Sequence, residues 1–158
     1  MVDPSRAARR VLSNRLRWLE SSLDARRHHF DRHAPGNLAP LAAPLDRVTA
    51  LQRGRFLATD EHARLTVPGG PFAAGHYVFA VHVVPTGTRT TVQLEARLAD
   101  VNGEPRAEGF SLACRRERPV FRIVHLREPA QSLTLLPMDH AGEFELRSLR
   151  FFRVPAAF

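Results

Sequence analysis

The chain has 158 residues, an ordinary apolar fraction of 44% and a formal charge of +7, and all 23 of its basic residues are Arg. A single cysteine excludes an intramolecular disulfide, yet the length is enough for one domain to bury a core without disulfide or metal. No apolar run approaches a membrane span, and the N-terminal residues hold no apolar run longer than two. The chain is therefore expected in the cytoplasm, touching at most a membrane surface from inside.

Charge is uneven. Residues 1–33 hold eight Arg against four acids, while the rest of the chain holds fifteen Arg against twelve. Asp3-Pro4-Ser5 is a helix start, with Asp3 or Ser5 as cap and Pro4 in a tolerated first-turn position. From there to Arg32 there is no Gly or Pro. Leu12, Leu16, Leu19 and Leu23 recur at helical spacing, Phe30 follows seven residues on, and Trp18 and Val11 widen the stripe. Arg9, Arg10, Arg17, Glu20, Arg26 and Arg27 occupy the other faces. This predicts a basic amphipathic helix over residues 1–33, too short in heptads to be read as a coiled coil. Its interaction face is Leu12, Leu16, Trp18, Leu19, Leu23 and Phe30. That face suits a protein partner, a second copy of the chain or an anionic membrane surface.

His33-Ala34-Pro35-Gly36 ends the helix, and residues 34–47 read as a Pro-rich linker whose Leu38, Leu41 and Leu45 lie against a domain surface. From Val48 the apolar period falls to two. Tyr77 to Val84 is apolar at both parities. Val92, Leu94, Ala96 and Leu98 alternate with Gln93, Glu95 and Arg97. Phe110, Leu112 and Cys114 repeat the pattern, as do Phe121, Ile123 and His125, and then Leu133 and Leu135. Phe144 and Leu146 give way to Leu149 and Phe151 at the wrong parity, which predicts a β-bulge near Arg147-Ser148. Gly- and Pro-rich turns separate these runs, Asn102-Gly103 among them. About eight short strands over residues 48–158 predict an antiparallel jelly-roll-like β-sandwich. The expected core includes Phe79, Val81, Leu94, Phe110, Leu112, Phe121, Phe144 and Leu146.

Three stretches resemble a known family. Gly75-His76-Tyr77-Val78-Phe79-Ala80-Val81 is similar to a strand opening with Gly and an aromatic. Glu108-Gly109-Phe110-Ser111 is similar to a Gly-Phe-Ser strand start, and Leu133 through Phe151 to a closing segment with a Pro-Asp turn. Together they resemble, over residues 48–153, the accessory β-sandwich found beside glycosyltransferase domains in bacterial enzymes that build surface polysaccharide. Met138 separates Pro137 from Asp139, a departure from the pattern. The resemblance implies a setting in polysaccharide synthesis and supplies no catalytic residues. No transferase domain is expected within the chain, which reads to Phe158 without one.

The chemistry-bearing residues weigh toward binding. His28, His29 and His33 are read as a basic helix end and not as a metal site, since two ligands at a four-residue spacing make none. His62, His76, His82, His125 and His140 are scattered. No nucleophile motif, nucleotide-sugar metal motif or phosphate loop is present. Cys114 has inward parity and reads as a buried inert thiol, although Arg115, Arg116 and Arg118 beside it would activate an exposed one. Arg106, Arg115, Arg116 and Arg118, with Arg127, form a candidate anion-binding set. Nucleic acid is disfavoured because aromatics are not interleaved with the Arg residues. Phe72, Tyr77 and Trp18 are the candidates for an exposed sugar platform. The reading is a non-enzymatic interaction or glycan-binding module without cofactor or metal, its helix docking to a partner or to itself. Two alternatives stay open: a small jelly-roll enzyme using His76, His82 and His125, and a structural assembly subunit.

Overall fold

The computed structural model describes residues 36–154. The expected N-terminal helix, with Leu12, Leu16, Trp18, Leu19, Leu23 and Phe30, lies outside the described residues. Among the described residues a short 3-10 turn, Ala39–Leu41, precedes ten strands. These are β1 (Ala43–Asp46), β2 (Val48–Gln52), β3 (Arg55–Ala58), β4 (Arg64–Val67), β5 (Gly75–Pro85), β6 (Arg89–Val101), β7 (Glu104–Arg115), β8 (Val120–Leu126), β9 (Ala130–Leu136) and β10 (Gly142–Arg153).

Two five-stranded sheets pack face to face as a jelly-roll-like sandwich, in the orders β1-β4-β9-β6-β7 and β2-β3-β10-β5-β8. Every pairing is antiparallel. The period of two explains the core. Val92, Leu94, Ala96 and Leu98 of β6 face Tyr77, Phe79, Val81 and Val83 of β5 across the interior, and all are buried. Phe144 stacks on Phe56 with ring centroids 5.3 Å apart, a contact worth about 0.5–1.5 kcal/mol beyond its area. β6 and β7 join through Asn102-Gly103, whose φ values of 53° and 76° make the left-handed turn that Asn-Gly favours in a two-residue hairpin. The expected bulge is present: Leu146 pairs with Val83 and Ser148 with His82, leaving Arg147 as the extra residue.

Three expectations change. The stretch read as linker is built into the sandwich from Gly36 onward. Ala39 is buried, Leu38 packs on the core and β1 pairs with β4, whereas Leu41 and Leu45 stay exposed. Phe121, expected in the core, is half-buried on the outer face of the second sheet. The register sets Tyr77 opposite Val124 and Ala80 opposite Phe121, so β8 sends Val124 and Leu126 inward. Leu112 is half-buried, because β7 is an edge strand whose inner face is only partly covered.

Candidate functional site

The outer face of the first sheet follows from the same alternation. With Val92, Leu94 and Ala96 inward, Arg89, Thr91, Gln93, Glu95 and Arg97 project outward from β6. Alternate residues stand about 6.6–6.8 Å apart along a strand. Residues directly opposite across an antiparallel pair share a face. The row is therefore flanked on β7 by Arg115, Ala113, Ser111, Gly109 and Ala107, and on β9 by Leu136, Thr134 and Ser132. Apart from Arg115 and the buried Leu136, these neighbours are small. Long polar side chains thus stand on one strand with a low floor to either side.

Gly109 makes the floor on the β7 side. An ideal Cβ at this position would lie 2.7 Å from Gln93 Nε2, so the amide occupies the space that a larger residue would take. On the other side Arg64 Nη1 donates to Glu95 Oε1 at 3.3 Å, spanning β9. This pair is half-exposed, so its contribution to stability is small. Its effect is to hold a carboxylate and a guanidinium in fixed positions. Amide, carboxylate and guanidinium groups present donors and acceptors in planar pairs. Such an array can bond adjacent hydroxyls of a polar, extended ligand.

At one end of the row Arg89 lies directly opposite Arg115, and Arg115 directly opposite Arg118. Thr88, Arg89, Arg115 and Glu117 line an open depression of about 420 Å³ there. Arg116 sits at the turn between β7 and β8 and fixes it: its N–H donates to Thr88 O at 3.4 Å and its Nη1 to Gly87 O at 3.2 Å. The sequence groups Arg106 with this cluster. The structure separates them, since Arg106 is nine residues back along β7, about 30 Å away at 3.4 Å per residue. There it grips both carboxylate oxygens of Glu128.

His76 and His125 are exposed and stacked, with ring centroids 4.2 Å apart. His82 lies six residues from His76, about 20 Å along β5, and is 3% exposed. The three histidines of the enzyme alternative therefore do not converge, and among the described residues no group of three or more His, Cys, Asp or Glu could hold a metal ion. Cys114 is buried and desolvation pushes its thiol up to about 12, as expected of an inert residue. Phe72 and Tyr77 are not a platform. They close one end of the core with Phe151, Tyr77 stacking on Phe151 at 4.5 Å and Phe72 meeting it edge-on at 5.3 Å. Trp18 lies outside the described residues.

The polar row on β6 is visible in sequence only as the solvated side of a strand. The signal that would have found it is the pairing of that side with Ala107, Gly109, Ser111 and Ala113, which are small at four successive outward positions of the next strand.

No family model matches the chain, and no curated protein matches it. Among solved structures, the chain is similar in fold to the CBM22-1–GH10 modules of the N-terminal endo-1,4-β-D-xylanase 10B of Clostridium thermocellum, solved with xylohexaose. Identity is 13% and the TM-score 0.58, over 77% of this chain and 27% of that one. The chain thus spans about a quarter of that protein's length. The C-terminal family 22 carbohydrate-binding module of the same xylanase aligns at 12% identity and a TM-score of 0.47, over 70% of this chain and 78% of that one. A family 16 carbohydrate-binding module aligns at 13% identity and a TM-score of 0.43, over 73% of this chain and 86% of that one. At 13% identity the likeness to the first of these is one of fold: a two-sheet antiparallel sandwich of the jelly-roll kind.

Proposed function

We propose that the sandwich is a non-catalytic glycan-binding module and that the glycan lies along β6 on the outer face of the first sheet. The observation that carries this reading is the row Thr91, Gln93, Glu95 and Arg97, joined by Arg64, over a floor of small residues. Planar amide, carboxylate and guanidinium groups beside a low, open floor suit an extended polyhydroxylated chain. The fold neighbour solved with xylohexaose supports the same ligand class. His76 and His125 lie apart from His82, and the Cys114 thiol is buried, which favours binding over catalysis by these groups.

The setting belongs to the same proposal and rests on sequence. The resemblance to accessory sandwiches of surface-polysaccharide enzymes suggests a bacterial, cytoplasmic or membrane-peripheral role beside a glycosyltransferase. The leucine stripe Leu12, Leu16, Leu19 and Leu23 suggests that the N-terminal segment docks on a protein partner or a second copy.

Affinity electrophoresis of the full chain in gels containing soluble polysaccharides tests the binding reading. Retardation by at least one glycan is expected. Gln93→Ala/Glu95→Ala should weaken it about tenfold, equivalent to about 1.4 kcal/mol, without lowering the melting temperature. Equal retardation of wild type and double variant would remove the face from the proposal. Stoichiometric metal that tracks with turnover would replace the proposal with the enzyme alternative.

A further inference from the structure

We infer that the glycan bound on this face is acidic, its carboxylate or sulfate groups met by Arg89, Arg115 and Arg118 at one end of the β6 row. The inference rests on the glycan reading and specifies its ligand class. Arg89 and Arg115 are an in-register pair, and Arg115 and Arg118 face each other across the two-residue turn that follows β7. Opposite residues have Cβ atoms about 4.5–5.5 Å apart, and like charges so placed repel. Three arginine side chains therefore leave one face from neighbouring backbone positions, and all three are exposed. Among the described residues none of them makes an ion pair, whereas Arg47, Arg55, Arg64, Arg106 and Arg147 each do. An oxyanion seated in the adjoining depression would relieve the repulsion and take bidentate hydrogen bonds from the guanidinium forks.

The place of the anion is set by what surrounds the cluster. The depression has one acidic neighbour, Glu117, and the row beyond it turns to Thr91, Gln93 and Glu95. Glu95 would repel a chain that carried a charge on every unit close to the strand. The arrangement fits a glycan whose acidic group falls at the arginine end while hydroxyls fall on the amide and carboxylate. It fits nucleic acid poorly. The large apolar side chains exposed among the described residues are Leu41, Leu45, Leu51, Leu57 and Val101, all aliphatic, so no exposed Phe, Tyr or Trp ring is offered to bases.

The test is competition calorimetry on the full chain with four probes: glucuronoxylan for carboxylates spaced along the chain, a sparsely sulfated dextran for spaced sulfates, neutral xylan, and poly(U). One of the two acidic glycans should bind at least about tenfold more tightly than xylan at low salt, with the margin shrinking as salt screens the exposed charges. Arg89→Gln/Arg115→Gln/Arg118→Gln should abolish that margin without lowering the melting temperature. Glu117→Gln, which removes a carboxylate from the depression, should widen the margin. Equal affinity of wild type for xylan and the acidic glycans, or a margin that survives the triple variant, would overturn the inference and leave the glycan reading standing. Tighter binding of poly(U) than of either acidic glycan would overturn it in favour of nucleic acid. Binding of no glycan at all would remove both.

Discussion

His82 Nε2 and the carbonyl oxygen of Arg116 lie 2.9 Å apart, tying the buried middle of β5 to the turn that carries the arginines. A carbonyl only accepts, so the imidazole donates from Nε2. Beyond Val81 the register of β5 with β8 ends, and the side chain of the next residue, His82, reaches the Arg116 carbonyl instead. A histidine inside a strand apolar on both faces thus has a structural role, which is to position the loop on which Arg118 stands.

Replacing this residue tests that role. His82→Phe keeps a flat ring and removes the donor, leaving the Arg116 carbonyl unpaired in a partly buried setting. The cost is expected to be about 1–3 kcal/mol in urea denaturation. Amides of residues 116–118 should lose hydrogen-exchange protection before the rest of β7 does. Unchanged stability and unchanged protection would show that the contact does not anchor the turn.

The core prediction rests on Phe144, which is 2% exposed and stacked on Phe56. Phe144→Ala removes the ring from the centre of the second sheet and should cost about 3–5 kcal/mol by chemical denaturation. A smaller loss would mean that the sandwich collapses into the space far better than a close-packed interior does.

Much of this architecture is legible in the sequence, for a physical reason. Strands that bury one face announce themselves by period, and β6 and β10 do so down to the bulge at Arg147. The face of β8 is illegible because Phe121 and Ile123 at one parity are as apolar as Val120, Val124 and Leu126 at the other. Only pairing with β5 decides between them. β1 is illegible for the opposite reason. Ala43–Asp46 is exposed at every position and contains Pro44, so it carries no alternation, and its pairing with β4 alone makes it a strand. The candidate site is hidden in a third way. No residue of the β6 row is unusual by itself, and its meaning depends on the small residues that pairing places beside it.

The turn before β10 supplies a pH prediction. His140 Nδ1 lies 2.5 Å from Asp139 Oδ1, and His140 Nε2 reaches Thr86 O at 3.1 Å. The hydrogen bond with His140 holds the Asp139 carboxyl below its ordinary 3.8, helped by the Thr91 N–H and the Thr90 hydroxyl. The same bond to Asp139, then the Thr86 carbonyl, raises His140 above its ordinary 6.5. A raised His contributes stability that is full below 6.5 and lost as pH climbs through the raised value. A lowered Asp contributes stability that is full above 3.8 and lost as pH falls through the lowered value. Stability from this pair should therefore be greatest between about pH 3.8 and 6.5. Both groups are near the surface, so the effect is modest. His140→Asn should flatten the decline of melting temperature on the alkaline side, and an unaltered profile would show that the pair is not coupled to folding.

Gly109 separates the fold from the proposed site. Its φ lies in the ordinary range, so the backbone itself tolerates alanine. The obstacle is the end of the Gln93 side chain, 2.7 Å from where a Cβ would sit, and that side chain is exposed and free to swing aside. Gly109→Ala should therefore leave the melting temperature within about a degree or two of wild type, since surface changes stay near ±0.5 kcal/mol. Its cost falls on the site instead, because the displaced amide loses the bed that orients it and the floor beside β6 rises by a methyl group. Glycan affinity should fall severalfold, and in the Gln93→Ala background the same substitution should cost less, because there is no amide left to displace. If Gly109→Ala binds as wild type does, the β7 side of the floor plays no part in recognition, and the ligand path lies on the β9 side, between Glu95 and Arg64.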